Sequence, residues 1–439
     1  MKKHNLSALY PKFKSSVNYA KLNSGQKAFF DYVFTDCNVL LTGSAGVGKS
    51  YCLTALFHFL EEQGVFIAKA AMTGVAAINI GGSTVHSWAG MGLADEDIPN
   101  LLVRVLRNKK AVSRIKHSSI LFIDEVSMAS ADFMEKLDAV LKNIRYSNQP
   151  FGGIKVVFSG DFLQLGPVFR GNQAKGFAFD SIAWKAANIQ VCELKKLVRQ
   201  DENSAFAKLL QKIRKGSATP KDIALLQSRM NVPLKAPVEP IKIFCRNVDI
   251  DRFNMERFKT ITKPERTFVC IDTGDCKYAE VFDRNCLAPA VLRLKEGAQV
   301  MLLANIDTEA GLVNGLIGTV KEFLSSGQVM VKFLDGQSAA IELNKWEIKQ
   351  QEVDIRGNSS YRIVATRKQL PLRLAYAASV HKCQGQTLDY AHIDLSGSFD
   401  FGQCYTALSR VKNIEGLSLT PFDFSKIRSN PDCVKFYET

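Results

Sequence analysis

The sequence predicts an α/β protein of more than one domain, built on parallel sheets, and three observations carry that reading. Short apolar runs alternate with helical or loop segments through the first half of the chain. One of those runs leads directly into a glycine-rich turn and then a helix. Further on, short alternating runs separated by glycines replace the αβ pattern, as in an inserted antiparallel sheet. With 439 residues, the chain exceeds what one ordinary core accommodates.

Residues 1–19 are polar and Lys-rich without a clear period, and are expected to form a flexible basic arm. From Leu22 a helical stripe begins, through Ala28, Phe29 and Val33, with Ser24 placed as a cap. Val39-Leu40-Leu41 reads as a buried strand, and similar runs recur at Phe66 to Ala71, Ile120 to Ile123, Lys155 to Ser159 and Gln190 to Leu194. Between Ser83 and Lys116 the pattern is irregular, which suggests a small insertion. A second αβ stretch starts near Phe206, passes through Ile241 to Cys245, and returns after residue 369.

Within 305–368, runs such as Gly318-Thr-Val-Lys-Glu-Phe, Val329-Met-Val-Lys-Phe and Tyr361-Arg-Ile-Val-Ala-Thr are separated by Gly315, Gly327, Asp335-Gly336 and Gly357-Asn358. These are turn residues between antiparallel strands, and a small β-barrel is the economical reading. The expected division is therefore a first domain over 20–82 and 117–190 with an insertion at 83–116. A second domain follows over 191–304 and 369–439, with the barrel at 305–368.

Apolar residues make up 46% and charged residues 23%, a soluble composition, and no apolar run nears the roughly 18 residues of a membrane span. The opening lacks the apolar core of a secretory signal, so an intracellular, cytoplasmic protein without a membrane partner is expected. Ten scattered cysteines form no CxxC pair, and even Cys270, Cys276 and Cys286 lack nearby histidines; they read as reduced thiols. The net charge of +14 favours a polyanionic partner, because each neutralised phosphate releases counterions.

The residues from Gly43 to Ser50 form G-x-x-x-x-G-K-S between a strand and a helix. Glycines let the backbone of Gly43, Ser44, Ala45, Gly46, Val47 and Gly48 wrap a phosphate, with several N–H groups facing the charge. Lys49 would reach the β- and γ-phosphates, and Ser50 would ligate magnesium. Downstream, Ile120 to Glu125 ends an apolar strand in two carboxylates: Asp124 suits the metal, Glu125 the attacking water. The strand from Val156 delivers Asp161 and Gln164, and Gln164 could sense the γ-phosphate or sit as a solvated loop amide. Arg199 and Arg410 could stabilise transition-state charge or form surface ion pairs.

The order of these pieces, from about Leu22 to Leu417, resembles the Pif family of superfamily 1 helicases, the branch that moves 5′ to 3′. Leu22 to Gln26 looks like the Q motif, Thr73-Gly-Val-Ala-Ala and Thr84 to Ser87 like motifs Ia and Ib, and Asp161 to Gln164 like motif III. Leu197 to Gln200 looks like motif IV, His381 to Asp389 like motif V and Tyr405 to Val411 like motif VI. The most specific likeness is Asp132 to Arg145 followed by Pro150-Phe-Gly-Gly-Ile, the position of the family's own signature. Departures from the usual pattern occur at Ala71-Met72, Val47, Gly166, Cys383 and Gln386, and none removes a phosphate or magnesium ligand.

The resemblance implies two RecA-like P-loop NTPase domains with the nucleotide between them, a wedge insertion in the first and a β-barrel in the second. It implies ATP and Mg2+ as cofactors: Gln26 reading adenine, the loop to Ser50 with Gln164, Arg199, Gly385 and Arg410 around the triphosphate, and Ser50 and Asp124 on the metal. Thr73, His86, Ser379, His381 and Lys382 are implied beside a single strand, and Trp88 either stacks a base or fills the insertion's core. The implied partners are single-stranded and forked or tailed duplex DNA, bound by a monomer in replication, repair or recombination; folded guanine-rich DNA is a further substrate by likeness. A translocase that strips proteins without unwinding, an RNA or hybrid helicase, and a nucleotide-switched scaffold are the alternatives.

Overall fold

The structure, a computed structural model, describes residues 6–167, 176–198, 200, 203–235, 239–245, 250–307, 310, 312, 314–334, 336–353, 359–381, 383–384 and 386–438. Two compact units emerge. Unit 1 comprises Met1–Phe162, Gly166–Val198 and Glu347–Ala365; unit 2 comprises Leu163–Leu165, Arg199–Trp346 and Thr366–Thr439.

Unit 1 is organised by a six-stranded parallel sheet: β1 (Val39–Gly43), β2 (Ile67–Ala71), β3 (Ser83–Thr84), β4 (Ile120–Asp124), β5 (Lys155–Ser159) and β6 (Gln190–Leu194), in the order β3-β2-β4-β5-β1-β6. The central strands are near-continuous apolar runs because helices cover both faces of a parallel sheet. Chain order reverses around β1: β6 and β5 flank it, while β2 lies beyond β4. The carboxyl ends of β1 and β4, separated only by β5, therefore open onto one crevice edge.

The first helices are α1 (Leu6–Lys14), α2 (Val17–Ala20), α3 (Ser24–Val33), α4 (Lys49–Glu62) and α5 (Gly74–Asn79). The expectation of a flexible arm over 1–19 is corrected here, since α1 and α2 pack on unit 1. Phe13 is fully buried, with ring centroids 4.5 Å from Phe30 and 4.9 Å from Phe59. Leu6, Leu9 and Tyr10 lie against the same core. Pro11 stands inside α1, a residue that obscures a helix in the sequence.

The irregular stretch folds as α6 (Val85–Ala89), α7 (Ile98–Arg107) and α8 (Lys109–His117), all small elements near α9 (Ala131–Arg145). Trp88 is 3% exposed, and Arg114 donates to its carbonyl at 2.8 Å, so this ring fills the insertion's core. The short helix α10 (Ile182–Ala186) then leads into β6.

The expected domain boundary at 190/191 is also corrected. Strand β6 pairs with β1 over its full length, Val39 to Gly43 against Gln190 to Leu194, and unit 1 runs on to Val198. The reason is backbone register, which joins a strand to a sheet whatever its own side chains suggest.

Unit 2 opens with α11 (Ala205–Lys215), α12 (Pro220–Gln227), β7 (Ile241–Phe244) and α13 (Ile250–Lys259). Next come β8 (Glu265–Val269), β9 (Ile271–Gly274), α14 (Lys277–Asn285), β10 (Val291–Lys295), β11 (Gln299–Leu302), β12 (Ile317–Phe323), β13 (Val329–Phe333) and β14 (Ser338–Ile341). The long strands β15 (Asn344–Val353) and β16 (Ser359–Gln369), whose stretch Glu347–Ala365 groups with unit 1, precede β17 (Leu372–Leu374), β18 (Ala377–Ser379), β19 (Ala391–Asp394), α15 (Gln403–Leu408), β20 (Leu417–Leu419) and α16 (Pro431–Phe436) of unit 2.

The β-rich insertion is wider than the expected 305–368. Its five-stranded antiparallel sheet runs β14-β13-β12-β11-β17, so β11 and β17 lie outside those limits, and the order ends at β14 and β17 with no closing pair among the described residues. Gly315 (φ 98°) and Gly327 (φ 86°) make the expected left-handed turns; the turn residues Asp335, Gly357 and Asn358 lie outside the described residues. A second parallel sheet, β18-β7-β19-β20, forms the αβ part of unit 2.

Candidate active site

The loop from Gly43 to Gly48 leaves β1 and enters α4 at Lys49. Gly46 (φ 81°) and Gly48 (φ 92°) adopt left-handed backbone that a side chain would strain. Gly43 is pressed against β6, where an added Cβ would stand 2.4 Å from the Leu194 carbonyl oxygen. Gly48 caps α4 without a side-chain bond, and a helix N-terminus of this kind suits an anion. Lys49 Nζ donates to the carbonyls of Gly43 at 2.7 Å and Ser44 at 3.1 Å, so the ammonium already lies within the loop's curl. Ser50 is exposed in the first turn.

Gln26 sits beside this loop, its Nε2 being 2.9 Å from where a Cβ on Gly48 would stand. Its Oε1 accepts from the Asn23 backbone N–H at 3.0 Å, while Asn23 Oδ1 accepts from Gln26 N at 2.9 Å. That reciprocal cap fixes the carboxamide against the loop; the cap is Asn23, one residue before the expected Ser24, because the Asn23 side chain is the one that reaches the Gln26 N–H. Burial pushes the neighbouring Cys52 thiol up to about 12, which marks an inert core sulfur.

Asp124 closes β4. Burial pushes its carboxyl above the usual carboxylate range, opposed by the Ser159 hydroxyl, the Glu125 N–H and the Lys49 charge. The partners on that group show that the loop lysine and the strand-end acid share one site. Glu125 takes left-handed backbone, φ 55° and ψ 41°, and its N–H donates to Asp124 Oδ1 at 3.0 Å. A β4 end turned this sharply directs successive carboxylates in different directions, a strain typical of functional positions. This pairing of a phosphate-shaped loop and an adjacent carboxylate fits a nucleotide with a divalent cation. Ser159, at the end of β5, is a site contributor that reading the motifs alone misses.

Gln164 and Arg410 belong to unit 2. Gly402 (φ 70°) packs so closely on this segment that a Cβ would come within 2.3 Å of the Gln164 carbonyl oxygen. Arg410 is 2% exposed; its Nε donates to the Thr406 carbonyl at 2.8 Å and Nη2 to Ser409 Oγ at 2.8 Å. These are local bonds made by a buried guanidinium, so the surface ion-pair alternative does not apply. Arg199, Lys382 and Gly385 lie outside the described residues.

Among the positions expected beside a strand, Thr73 caps α5 by accepting from Ala76 N at 3.2 Å. His86 packs on Phe133 with centroids 4.5 Å apart, and burial lowers its pKa. Ser379 ends β18 and is buried, while His381 is exposed on the following turn.

The Pro-Phe-Gly-Gly stretch has a packing reason. Phe151 (φ 53°) and Gly152 (φ 62°) turn back onto α9: Phe151 N–H donates to Asp138 Oδ1 at 2.6 Å, and Arg145 Nε donates to the Gly152 carbonyl at 2.9 Å. A Cβ at Gly152 would stand 2.4 Å from the Leu141 carbonyl oxygen, so glycine is required there.

A phosphate loop and strand-end acids on the crevice edge of a parallel sheet define a P-loop NTPase, and the solved structures extend this to two RecA-like domains. A Bacteroides Pif1 structure in complex with ADP-AlF4 matches 95% of this chain and 96% of its own, with 28% identity and a TM-score of 0.83. The same relative with ADP-AlF3 and single-stranded DNA gives 27% identity and a TM-score of 0.62 over the same shares. The sequence pattern of the PIF1-like helicases matches residues 21–223, and that of the Pif1 2B domain matches 277–323. The Pif1 helicase of Psychrobacter is 34% identical, over 92% of this chain and 69% of the relative. That of Danio rerio is 36% identical, over 95% of this chain but only 64% of the relative, so the chain spans less than two thirds of its length.

The chain belongs to the Pif1 helicase family.

Proposed function

We propose that the chain is an ATP-dependent DNA helicase that translocates 5′ to 3′ on single-stranded DNA and opens forked or tailed duplexes. One observation carries this: in a Pif1-family chain, the loop ending in Lys49 and the acids Asp124 and Glu125 meet on one edge of the first sheet. Support for the substrates comes from the relatives, of which one is solved with single-stranded DNA.

In this reading the loop amides and the α4 N-terminus hold the β-phosphate, and Lys49 exchanges its two carbonyl partners for phosphate oxygens. Ser50 and Asp124 would hold Mg2+, which would neutralise phosphate charge. Glu125 orients the attacking water and takes up its proton. Gln164 senses the γ-phosphate, and Arg410 with Arg199 stabilises its developing charge. Grip on the strand is through phosphates, because a motor must tolerate every sequence.

The test is an unwinding assay on duplexes with a 5′ or a 3′ single-stranded tail, with ATP and magnesium. Strand separation on the 5′-tailed substrate alone is expected. Separation only on the 3′-tailed one refutes the polarity, and hydrolysis without separation on either favours a translocase.

A further inference from the structure

The loop between β19 and α15 carries two exposed aromatic rings: Phe399 is 57% and Phe401 36% exposed. Large apolar groups at a surface are common singly, but two within three residues on a braced loop call for a reason. This loop is held from several sides. The Phe399 N–H donates to Gln403 Oε1 at 3.2 Å, and Gln403 Nε2 donates to the Cys245 carbonyl at 2.9 Å. Arg428 Nη2 donates to the Phe399 carbonyl at 3.2 Å while its guanidinium lies 5.1 Å from the Phe401 ring centroid, and Lys426 Nζ donates to the Ser396 carbonyl. The rings are thus presented on fixed backbone, so little conformational entropy is lost when something stacks on them.

Position adds the second argument. In the sheet β18-β7-β19-β20 all neighbours run parallel, so the loop after β19 emerges on the same edge as the turn after β18, which bears His381. Asp400 is close enough to His381 for its charge to act on the imidazole. The Asp400 carboxylate accepts from the Phe401 N–H at 2.9 Å. At the other end of the loop, Gly402 is packed on the backbone of Leu163 and Gln164, and α15 leads to Arg410.

We infer that Phe399 and Phe401 form a stacking platform for unpaired bases of the single strand, mounted on the same rigid loop that joins the Gln164 segment to the Arg410 helix. Every base has a π-face, so such a platform adds grip without reading sequence. Its short mechanical link to both nucleotide-sensing segments means that a shift of α15 moves the stacked base with it. The inference rests on the single-strand reading of the preceding section.

The full-length chain is titrated into a fluorescein-labelled oligothymidylate and into the same backbone made entirely of abasic sites. Wild type is expected to prefer the strand with bases by about tenfold or more. The double variant Phe399→Leu, Phe401→Leu keeps apolar bulk and folding, checked by its melting curve, and is expected to reduce that preference to about twofold. Phe399→Trp with Phe401→Trp should retain it. A leucine variant that discriminates like wild type overturns the platform while leaving the helicase reading intact. Failure of wild type to bind either strand removes both.

Discussion

In unit 1 the groups proposed to handle phosphate come from two unbroken stretches, Gly43 to Ser50 and Asp124 to Glu125, each at the end of a strand. In unit 2 the corresponding groups are scattered: Gln164 follows β5 in sequence yet clusters with residues beyond 199, and Arg410 is buried at the end of α15. The difference teaches how two kinds of function are encoded. Holding a phosphate needs backbone shape, which a short glycine-rich segment can specify alone. Sensing it needs a side chain placed by the packing around it: the Arg410 guanidinium is buried and bonded to Thr406 and Ser409 of its own turn, and the Gln164 backbone is met by Gly402, far along the chain.

If that contrast is right, Arg410→Ala has the largest effect. Turnover measured by phosphate release should fall by about 10³-fold, with labelled ATP still bound; an unchanged rate places the finger elsewhere. Arg410→Lys should recover little, since an ammonium cannot reproduce the planar fork. Lys49→Ala should lower hydrolysis by about 10²- to 10³-fold while circular dichroism shows a retained fold, because the bonds its Nζ makes to the Gly43 and Ser44 carbonyls lie within the loop itself.

Stability changes sharpen the picture of unit 1. Phe13→Ala should lower unfolding free energy by about 3–5 kcal/mol in denaturant titration, as for a fully buried ring, whereas a loose arm would show no change. Gly152→Ala should cost about 1–3 kcal/mol from its left-handed backbone and the Leu141 carbonyl in its way.

The smallest effect lies in unit 2. Hydrogen bonds from Thr219 and then Lys212 hold the Asp222 carboxylate at about 2, below its ordinary 3.8. Its folded-state pKa is depressed, so its contribution is present above about pH 4 and is lost as pH falls through about 2. Asp222→Asn should flatten the fall in melting temperature over that window. An equally steep fall in the variant removes the assignment.

The legible parts of the sequence were those written locally. The phosphate loop, the acid-ended strand and all the apolar runs of the first sheet stand where their residues predict, and the Phe-Gly-Gly turn has a steric cause at Gly152. The failures came from non-local causes. Leu6, Leu9, Tyr10 and Phe13 have helical spacing, but Pro11 interrupts the stretch and only the packed core shows what Phe13 meets. Strand β6 has a polar, exposed start, and only its register with β1 reveals which sheet it completes. The roles of Ser159 and Gly402 depend on approaches between segments far apart in sequence, which periodicity does not encode.

The central claim is that hydrolysis here serves movement along a strand. It is tested most directly by ATP turnover of the wild-type chain with and without oligothymidylate, at saturating ATP and magnesium. The account predicts an increase of at least about tenfold on adding the strand, lost in Arg410→Ala. A turnover indifferent to DNA would contradict it and leave a nucleotide-switched scaffold in its place.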